Sequence, residues 1–317
     1  MDSCLRGLCT FIIIYVNLPP GGGSLWAEWW NYEGISGPAY WGRMNTDWYL
    51  CSKGKNQSPI DIDPRLLLFD PNLKRIEIEG DAVSGTLVNN GYDLTLEIND
   101  TDAETTPVNL TLGPLSYNYR IKQIKLHFGS ENYIGSEHTI QGKAFPGEIH
   151  LVAYNSDVYA NISRAQTSPR GIAIIAAFLQ INDTANEELE KITNLTTYVT
   201  YKGQRTKLLK GLHIRQLLPN IDTYITYEGS FTQPGCHETV TWIVINKPLK
   251  VNKNQMETLR NLRQGDMDHP QAFMADNFRP IMPLHTRTIR TNINFLKGCT
   301  MAKDMHYEVN TNFKFEN

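Results

Sequence analysis

Short runs of alternating hydrophobic and polar residues dominate the middle of the chain, and they predict β-strands. Runs of this kind, bounded by Gly, Pro, Asn or Asp, are typical of strands with one buried face. The run 172–181 is almost continuously apolar, which favours a central strand that is covered on both faces. The predicted strands are 75–79, 85–89, 92–98, 120–128, 148–154, 172–181 and 239–245.

Helical patterns are few. One covers 184–192, with Thr184 as its candidate N-cap, and a second covers 255–262. An aromatic-rich segment at 26–48 is too irregular for a helix, and we expect it to pack over a core. We find no internal repeat and no Ser/Pro-rich linker that would divide the chain. The pattern therefore predicts a single, mainly β (α+β) domain with short helices.

Composition excludes several classes of protein. The 317 residues are 41% hydrophobic and 20% charged, which is enough apolar material for a full-sized core, so disordered and fibrous classes are excluded. The chain has 30 Lys and Arg against 33 Asp and Glu, a net charge of −3. With no basic excess to neutralise phosphates, nucleic acid is not expected as a partner.

The first residues are typical of a secretion signal. Arg6 is followed by an apolar stretch at 8–16 and then by helix-breaking Pro19 and Pro20. The apolar stretch is shorter than the roughly 20 residues of a membrane span, and a buried N-terminal strand is the alternative. We therefore predict a signal peptide at 1–27, a folded domain at 28–297, a C-terminal tail at 298–317 and a secreted, extracellular protein without a membrane span.

Potential glycosylation sites agree with export. Six Asn-x-Ser/Thr sequons are present, of which the one at Asn56 is unfavourable because Pro59 follows its serine. Each sequon alone is weak evidence, but together they predict a glycoprotein. The five usable sequons begin at Asn99, Asn109, Asn161, Asn182 and Asn194.

Cysteine usage also fits an oxidising compartment. Cys4 and Cys9 lie in the predicted signal peptide, which leaves Cys51, Cys236 and Cys299. Two of these three are expected to form a disulfide and one to remain unpaired. The spacing of the cysteines does not determine which two pair.

One predicted strand carries a polar face. Alternation along 120–128 places Gln123, Lys125 and His127 on the same side of the strand, and His150 lies on the next long strand. Two histidines on adjacent strands can bind a metal ion. Spacing alone favours the other interpretation, a pair of hydrogen-bonded interior histidines.

Seven ordered motifs, spread over most of residues 28–297, together resemble the α-carbonic anhydrase family. They are Asn56-Gln57-Ser58-Pro59-Ile60-Asp61-Ile62, Leu126-His127-Phe128-Gly129-Ser130, Gly135-Ser136-Glu137-His138-Thr139, Glu148-Ile149-His150-Leu151-Val152, Tyr227-Glu228-Gly229-Ser230-Phe231-Thr232-Gln233-Pro234, Thr241-Trp242-Ile243-Val244 and Asp276-Asn277-Phe278-Arg279-Pro280. The resemblance implies a large, twisted, mostly antiparallel central sheet with short peripheral helices. It also implies a disulfide between Cys51 and Cys236, which leaves Cys299 as the odd thiol. Cys299 is then either a candidate for an intermolecular bridge or a free, exposed thiol.

The resemblance further implies a metal site, and this chain departs from it. Active members hold Zn²⁺ with three imidazoles and keep a fourth position for water, whose pKa the metal lowers to about 7. His127 and His150 match two of the ligands, but Lys125 stands at the third. A lysine ammonium has no lone pair, and removing its proton at pH 7 costs about 4.6 kcal/mol at its ordinary pKa. We therefore expect a degenerate site and no zinc, the alternative being ligation by neutral Lys125.

Other positions match the family's supporting residues. Gln123 and Glu148 correspond to side chains that orient the ligand imidazoles, and Glu137 and Thr232 to the pair that orients the metal-bound hydroxide. An ion pair between Lys125 and Glu137 is one expected consequence of the substitution.

The rest of the site has changed. Tyr92 stands where efficient members carry a proton-shuttling histidine, and Gln233 replaces a hydroxyl residue beside Thr232. Ile174 and Phe231, at positions that match the wall of the substrate pocket, are bulky. We expect no catalytic residues, with Tyr92, Glu137 and Thr232 as vestiges.

Within the family, the chain most resembles the secreted, catalytically silent carbonic anhydrase-related proteins of the ten/eleven type. That resemblance implies an extracellular binding module whose partner is a cell-surface protein, with neurexin-type synaptic adhesion receptors as the known kind. The alternative function is weak zinc-dependent carbonate dehydratase activity that uses His127, His150 and neutral Lys125.

Overall fold

The computed structural model describes residues 29–99 and 107–294, with the side chains of residues 209 and 210 excepted. The predicted signal peptide at 1–27, Cys299 and the tail at 298–317 lie outside the described residues. β-Strands are the main regular secondary structure of the described chain, as the alternating pattern predicts.

Fifteen strands are present among the described residues. They are β1 (Asp61–Ile62), β2 (Leu68–Phe69), β3 (Ile76–Glu79), β4 (Ala82–Asn89), β5 (Leu94–Ile98), β6 (Asn109–Leu112), β7 (Tyr119–Phe128), β8 (Thr139–Ile140), β9 (Gly147–Asn155), β10 (Ile172–Ile181), β11 (Arg205–His213), β12 (Tyr224–Gly229), β13 (Val240–Ile245), β14 (Leu249–Val251) and β15 (Arg290–Thr291).

Six short α-helices surround the strands in the same part of the chain, accompanied by single turns of 3-10 helix. The α-helices are α1 (Trp41–Met44), α2 (Leu50–Lys53), α3 (Ile162–Ala165), α4 (Glu187–Thr193), α5 (Ile214–Leu217) and α6 (Lys253–Arg260). None of the helices in residues 29–99 and 107–294 is long and apolar enough to cross a membrane.

Thirteen of the strands form one large mixed sheet. Its main path runs β11-β4-β5-β7-β9-β10-β13-β12-β15-β2, with β14 beside β10 and β3 joined through β6 to β7. Most neighbours are antiparallel, and the parallel pairs are β10 with β13, β10 with β14, and β15 with β2. Strands β1 and β8 form a separate two-stranded sheet. The predicted mostly antiparallel central sheet is confirmed.

Strand β10 lies near the middle of this sheet and is buried along most of its length. Its alternate residues serve two cores, because successive side chains point to opposite faces. Ile175 belongs to the larger core, which also contains the apolar face of β7, whereas Ile174 belongs to the smaller one with Trp242. The run at 172–181 is therefore nearly continuously apolar because both faces of the strand are buried, as the sequence predicts.

The predicted helix at 184–192 begins later than expected. Helix α4 starts at Glu187, and its N-cap is Asn186 rather than Thr184, because the Asn186 side chain accepts a hydrogen bond from the Leu189 N–H. The helix predicted at 255–262 is α6, which is capped by a reciprocal pair of hydrogen bonds between Asn252 and Gln255.

The aromatic-rich segment packs around a disulfide. Cys51 and Cys236 are bonded, which confirms the pairing implied by the family resemblance. Both are buried in a cluster with Trp41 and Tyr32, against which Trp30 packs edge-on. The bridge thus ties the segment before β1 to the loop after β12.

Candidate functional site

Register between three neighbouring strands assembles the polar face that the sequence predicts. Lys125 on β7 lies opposite Thr95 on β5 and opposite His150 on β9. His127, two residues further along β7, lies opposite Glu148. Because residues i and i+2 of a strand share a face, Lys125, His127 and His150 are brought together on one side of the sheet.

Both imidazoles are buried, with His127 1% and His150 2% exposed, and their ring centroids lie 4.5 Å apart. His127 Nδ1 lies 2.7 Å from the carbonyl oxygen of Asn277, and His150 Nε2 lies 2.7 Å from Glu148 Oε1. A carbonyl oxygen or an ionised carboxylate accepts hydrogen bonds only, so the hydrogen of each neutral ring is placed on the bonded nitrogen. This leaves the lone pairs on His127 Nε2 and His150 Nδ1.

Glu148 connects His150 to a second buried histidine. Its Oε1 lies 2.7 Å from His138 Nδ1, and its Oε2 accepts the His138 backbone N–H. Burial alone would raise the pKa of Glu148, but the charges and hydrogen bonds of His138 and His150 outweigh it and hold that pKa well below its usual range. His138 Nε2 in turn lies 2.7 Å from the Tyr227 hydroxyl, which donates to Ser58. Glu148 therefore orients two rings at once.

The pKa of His150 is lowered. Burial disfavours the charged imidazolium, and the neighbouring His127 acts in the same direction, against the opposing effect of Glu148. The ring is consequently neutral near pH 7, in the form that has a free lone pair.

Lys125 occupies the third position of the face and is tied to two partners. Its ammonium donates to Asp93 Oδ2 at 3.2 Å and to Gln233 Oε1 at 2.6 Å. Gln233 Nε2 also donates to Asp93 Oδ2, at 2.5 Å, so the three side chains close a ring. Burial raises the pKa of Asp93, but the charge of Lys125 and the hydrogen bonds from Thr95 and Gln233 outweigh it and lower that pKa to about 2.

The expected ion pair between Lys125 and Glu137 is wrong. Glu137 instead lies against the imidazoles, with its carboxylate oxygens 3.7 Å from His127 Nδ1 and 3.9 Å from His150 Nδ1. Its Oε1 accepts the backbone N–H of Arg279, while its buried Oε2 has no hydrogen-bond partner within the described residues. Lys125 pairs with Asp93 because that carboxylate lies two residues before Thr95, on the same face of the neighbouring strand.

The other predicted site residues are less closely joined. Gln123 lies on β7 opposite Glu97 and Val152, and within residues 29–99 and 107–294 it makes no hydrogen bond to His127 or His150. Thr232 is buried in the loop after β12, beside Gln233.

Tyr92 is held against the aromatic segment. Its ring stacks on Trp30 with centroids 4.0 Å apart and nearly parallel planes, and the Lys202 ammonium lies 5.3 Å above it. A phenol fixed in this stack is a poor replacement for a mobile proton-shuttling imidazole.

Sequence reasoning missed the side chains of Asp93 and Thr95 and the backbone carbonyl of Asn277. Asp93 and Thr95 both lie in the predicted strand 92–98 and share one of its faces. The period-2 pattern therefore contained a signal for a polar group facing Lys125. Asn277 was part of a quoted motif, but its role is performed by a backbone carbonyl, which no side-chain pattern can reveal.

The residues present do not fit a three-imidazole zinc centre. His127 and His150 each keep a lone pair, and with Glu137 they form a group whose potential ligand atoms lie within 4.8 Å of one another. Lys125, however, uses its ammonium hydrogens as donors to Asp93 and Gln233, and a protonated amine offers no lone pair to a metal. Two imidazoles remain where the family's chemistry uses three.

Comparison with known proteins identifies the family. The family of eukaryotic-type carbonic anhydrases matches residues 36–293. Carbonic anhydrase-like protein 2 of Caenorhabditis elegans, a provisional name, is 40% identical over 267 residues, which cover 83% of this chain and 79% of the relative. The similarly named protein 1 of the same organism is 34% identical over 329 aligned positions, covering 83% of this chain and 90% of the relative. The chain belongs to the eukaryotic-type carbonic anhydrase family, with relatives that are named carbonic anhydrase-like.

Proposed function

We propose that the chain is a secreted, catalytically silent carbonic anhydrase-related protein that acts as an extracellular binding module. The observation that carries the proposal is the Lys125 ammonium, which is engaged by Asp93 and Gln233 at the position of a metal ligand. An enzyme of this family needs a metal-bound hydroxide as its nucleophile. With two imidazoles and a paired ammonium, the site has no means of holding that nucleophile in the family's geometry.

The scaffold itself remains well formed and suited to binding. A disulfide joins Cys51 to Cys236, and two hydrophobic cores flank the central sheet. The apolar N-terminal stretch and the sequons support export, and a disulfide is expected in an oxidising compartment. A rigid secreted fold that catalyses no reaction can act as a ligand for another protein. By family resemblance, the partner is a neurexin-type receptor on neurons.

A CO₂-hydration assay tests the silent character of the site. We expect the purified protein to show no hydration above the uncatalysed rate, with an active family member as positive control. Hydration that depends on added zinc and is lost in His150→Ala would support the alternative, a weak carbonate dehydratase that uses His127, His150 and neutral Lys125.

Cell-surface binding tests the proposed partner. We expect the secreted protein to bind cells that display a neurexin-type receptor and not matched cells without it. Equal binding to both would contradict the receptor assignment and would leave the hydration result unaffected.

Cys299 is the candidate for a covalent link to that partner, since Cys51 and Cys236 already pair with each other. Non-reducing gels of the complex formed by the wild type and by Cys299→Ser decide this. Loss of the high-mass band in the variant alone is expected, and an unchanged complex would contradict a covalent link.

A further inference from the structure

Asp93 is a charged group beside the degenerate site, and its side chain is fully buried. Its carboxylate accepts hydrogen bonds from the Asn90 amide and the Thr95 hydroxyl at Oδ1 and from Gln233 and Lys125 at Oδ2. Lys125 is the only one of these four donors that carries a positive charge. The carboxylate is therefore well bonded, but it depends on one side chain for its counter-charge.

Asp93 and three of its four partners connect separate parts of the fold. Asp93 immediately precedes β5, Thr95 is the second residue of β5, Lys125 lies in β7, and Gln233 lies in the loop that follows β12. Gln233 Nε2 also lies 3.3 Å from the hydroxyl of Tyr32, in the aromatic segment. The cluster thus cross-links the sheet to the loop and the aromatic segment, next to the two imidazoles.

A buried carboxylate with no cation is strongly destabilising, because it has lost its hydration without gaining a compensating charge. Removing one partner of a buried ion pair costs far more than replacing both partners by neutral groups. Asp93 and Lys125 should therefore be retained or lost together. Removing the Lys125 charge without supplying another cation, or removing the Asp93 charge, should lower the stability of the fold.

Resting on the proposed function, we propose that Asp93 is a positioning residue that fixes the Lys125 ammonium, and that Asp93, Lys125 and Gln233 form a metal-independent structural cross-link. The protein's own cation supplies the positive charge at this end of the site. Asp93 creates the need for that charge, and Gln233 bridges the two partners.

Thermal unfolding of single and double variants tests the pairing. Lys125→Met is expected to lower the melting temperature by about 5–10 °C, and Asp93→Asn to lower it as well. The double variant should melt no lower than Lys125→Met alone, since it contains no unpaired charge. Lys122→Met is a control in the same strand, and its effect should simply add to that of Asp93→Asn.

Zinc supplies a readout that a merely structural role would not change. Lys125→Met removes the cation opposite His150 and leaves the Asp93 carboxylate without its counter-charge, next to the group formed by His127, Glu137 and His150. Added zinc should therefore raise the melting temperature by several degrees, and a chelator should reverse the gain. Neither zinc nor chelator should shift the wild type, and the double variant should respond much less than Lys125→Met.

Additive effects of Lys125→Met and Asp93→Asn on the melting temperature would overturn the proposal. An equal zinc response in the wild type, the two single variants and the double variant would also overturn it. If Lys125→Met does not fold, recovery of folded protein in the double variant supports the proposal, and failure of the double variant while Asp93→Asn folds contradicts it. These results concern the cross-link, whereas CO₂ hydration by the wild type would contradict the proposed function.

Discussion

Lys125 Nζ lies 3.2 Å from Asp93 Oδ2, and the two side chains are 16% and 0% exposed. By the family resemblance, this pair stands where active members carry their third zinc-binding imidazole. A buried ion pair favours one specific fold only while both of its members are present. The charge at this position therefore depends on Lys125 and Asp93 together.

Acid should weaken this pair in a predictable range. The folded-state pKa of Asp93 is lowered to about 2 from an unfolded value of 3.8, so its contribution to stability is present above about pH 4 and is lost as the pH falls through 2. A shift of this size corresponds to about 2 kcal/mol. In urea titrations, the difference in unfolding free energy between wild type and Asp93→Asn should shrink by about that amount between pH 6 and pH 2. A difference that does not change with pH would contradict the assignment.

Restoring the third imidazole should restore little activity. We expect Lys125→His to bind zinc but to hydrate CO₂ about 100-fold more slowly than an active family member, because Tyr92 is stacked on Trp30 and does not shuttle protons. Stopped-flow hydration assays check this, and Lys125→His/Tyr92→His should be faster than the single variant. Full activity in the single variant would show that the shuttle position is unimportant.

The disulfide should contribute strongly to stability. Cys51 and Cys236 are 185 residues apart in sequence, and the chain-entropy treatment gives an upper value of about 5 kcal/mol for a loop of this length. We expect the paired change Cys51→Ser/Cys236→Ser to lower the unfolding free energy by about 3–5 kcal/mol in urea titrations. Cys299→Ser is the matched control and should leave the free energy unchanged.

Glycans should occupy only some of the sequons. Asn161 and Asn194 are exposed, whereas Asn109 is half-buried in β6, between β3 and β7. A half-buried side chain between two paired strands is a poorer acceptor for a glycan than an exposed one. Mass spectrometry of the secreted protein should find glycans at Asn161 and Asn194 and none at Asn109. Ser163→Ala, which removes one sequon but keeps the Asn161 cap of α3, should lose one glycan.

The long strands could be predicted because the spacing of their hydrophobic residues reflects which of their faces are buried. Alternation placed Lys125 and His127 on one face of β7, and the apolar run of β10 indicated burial on both sides. Strands of two residues, such as β1 and β15, are too short to show a period, and their pairing depends on distant parts of the chain. The longer strand β11 lies at the sheet edge, and its first three residues, Arg205, Thr206 and Lys207, are exposed or half-buried, so its apolar signal is weak.

The site was predictable to the extent that it depends on side-chain identity. His127, His150 and Glu148 were found from motifs, and the structure brings them together. The partner of Lys125 was not found, because the sequence offers both Glu137 and Asp93 as carboxylates and does not distinguish between them. Only the pairing of β5 with β7 selects Asp93.

Metal content of the purified, secreted wild-type protein tests the central claim most directly, with Lys125→His as the matched variant. We predict well under one zinc per chain in the wild type after dialysis against zinc-containing buffer, and close to one in the variant. One zinc bound per wild-type chain, lost in His127→Ala and in His150→Ala, would contradict the account.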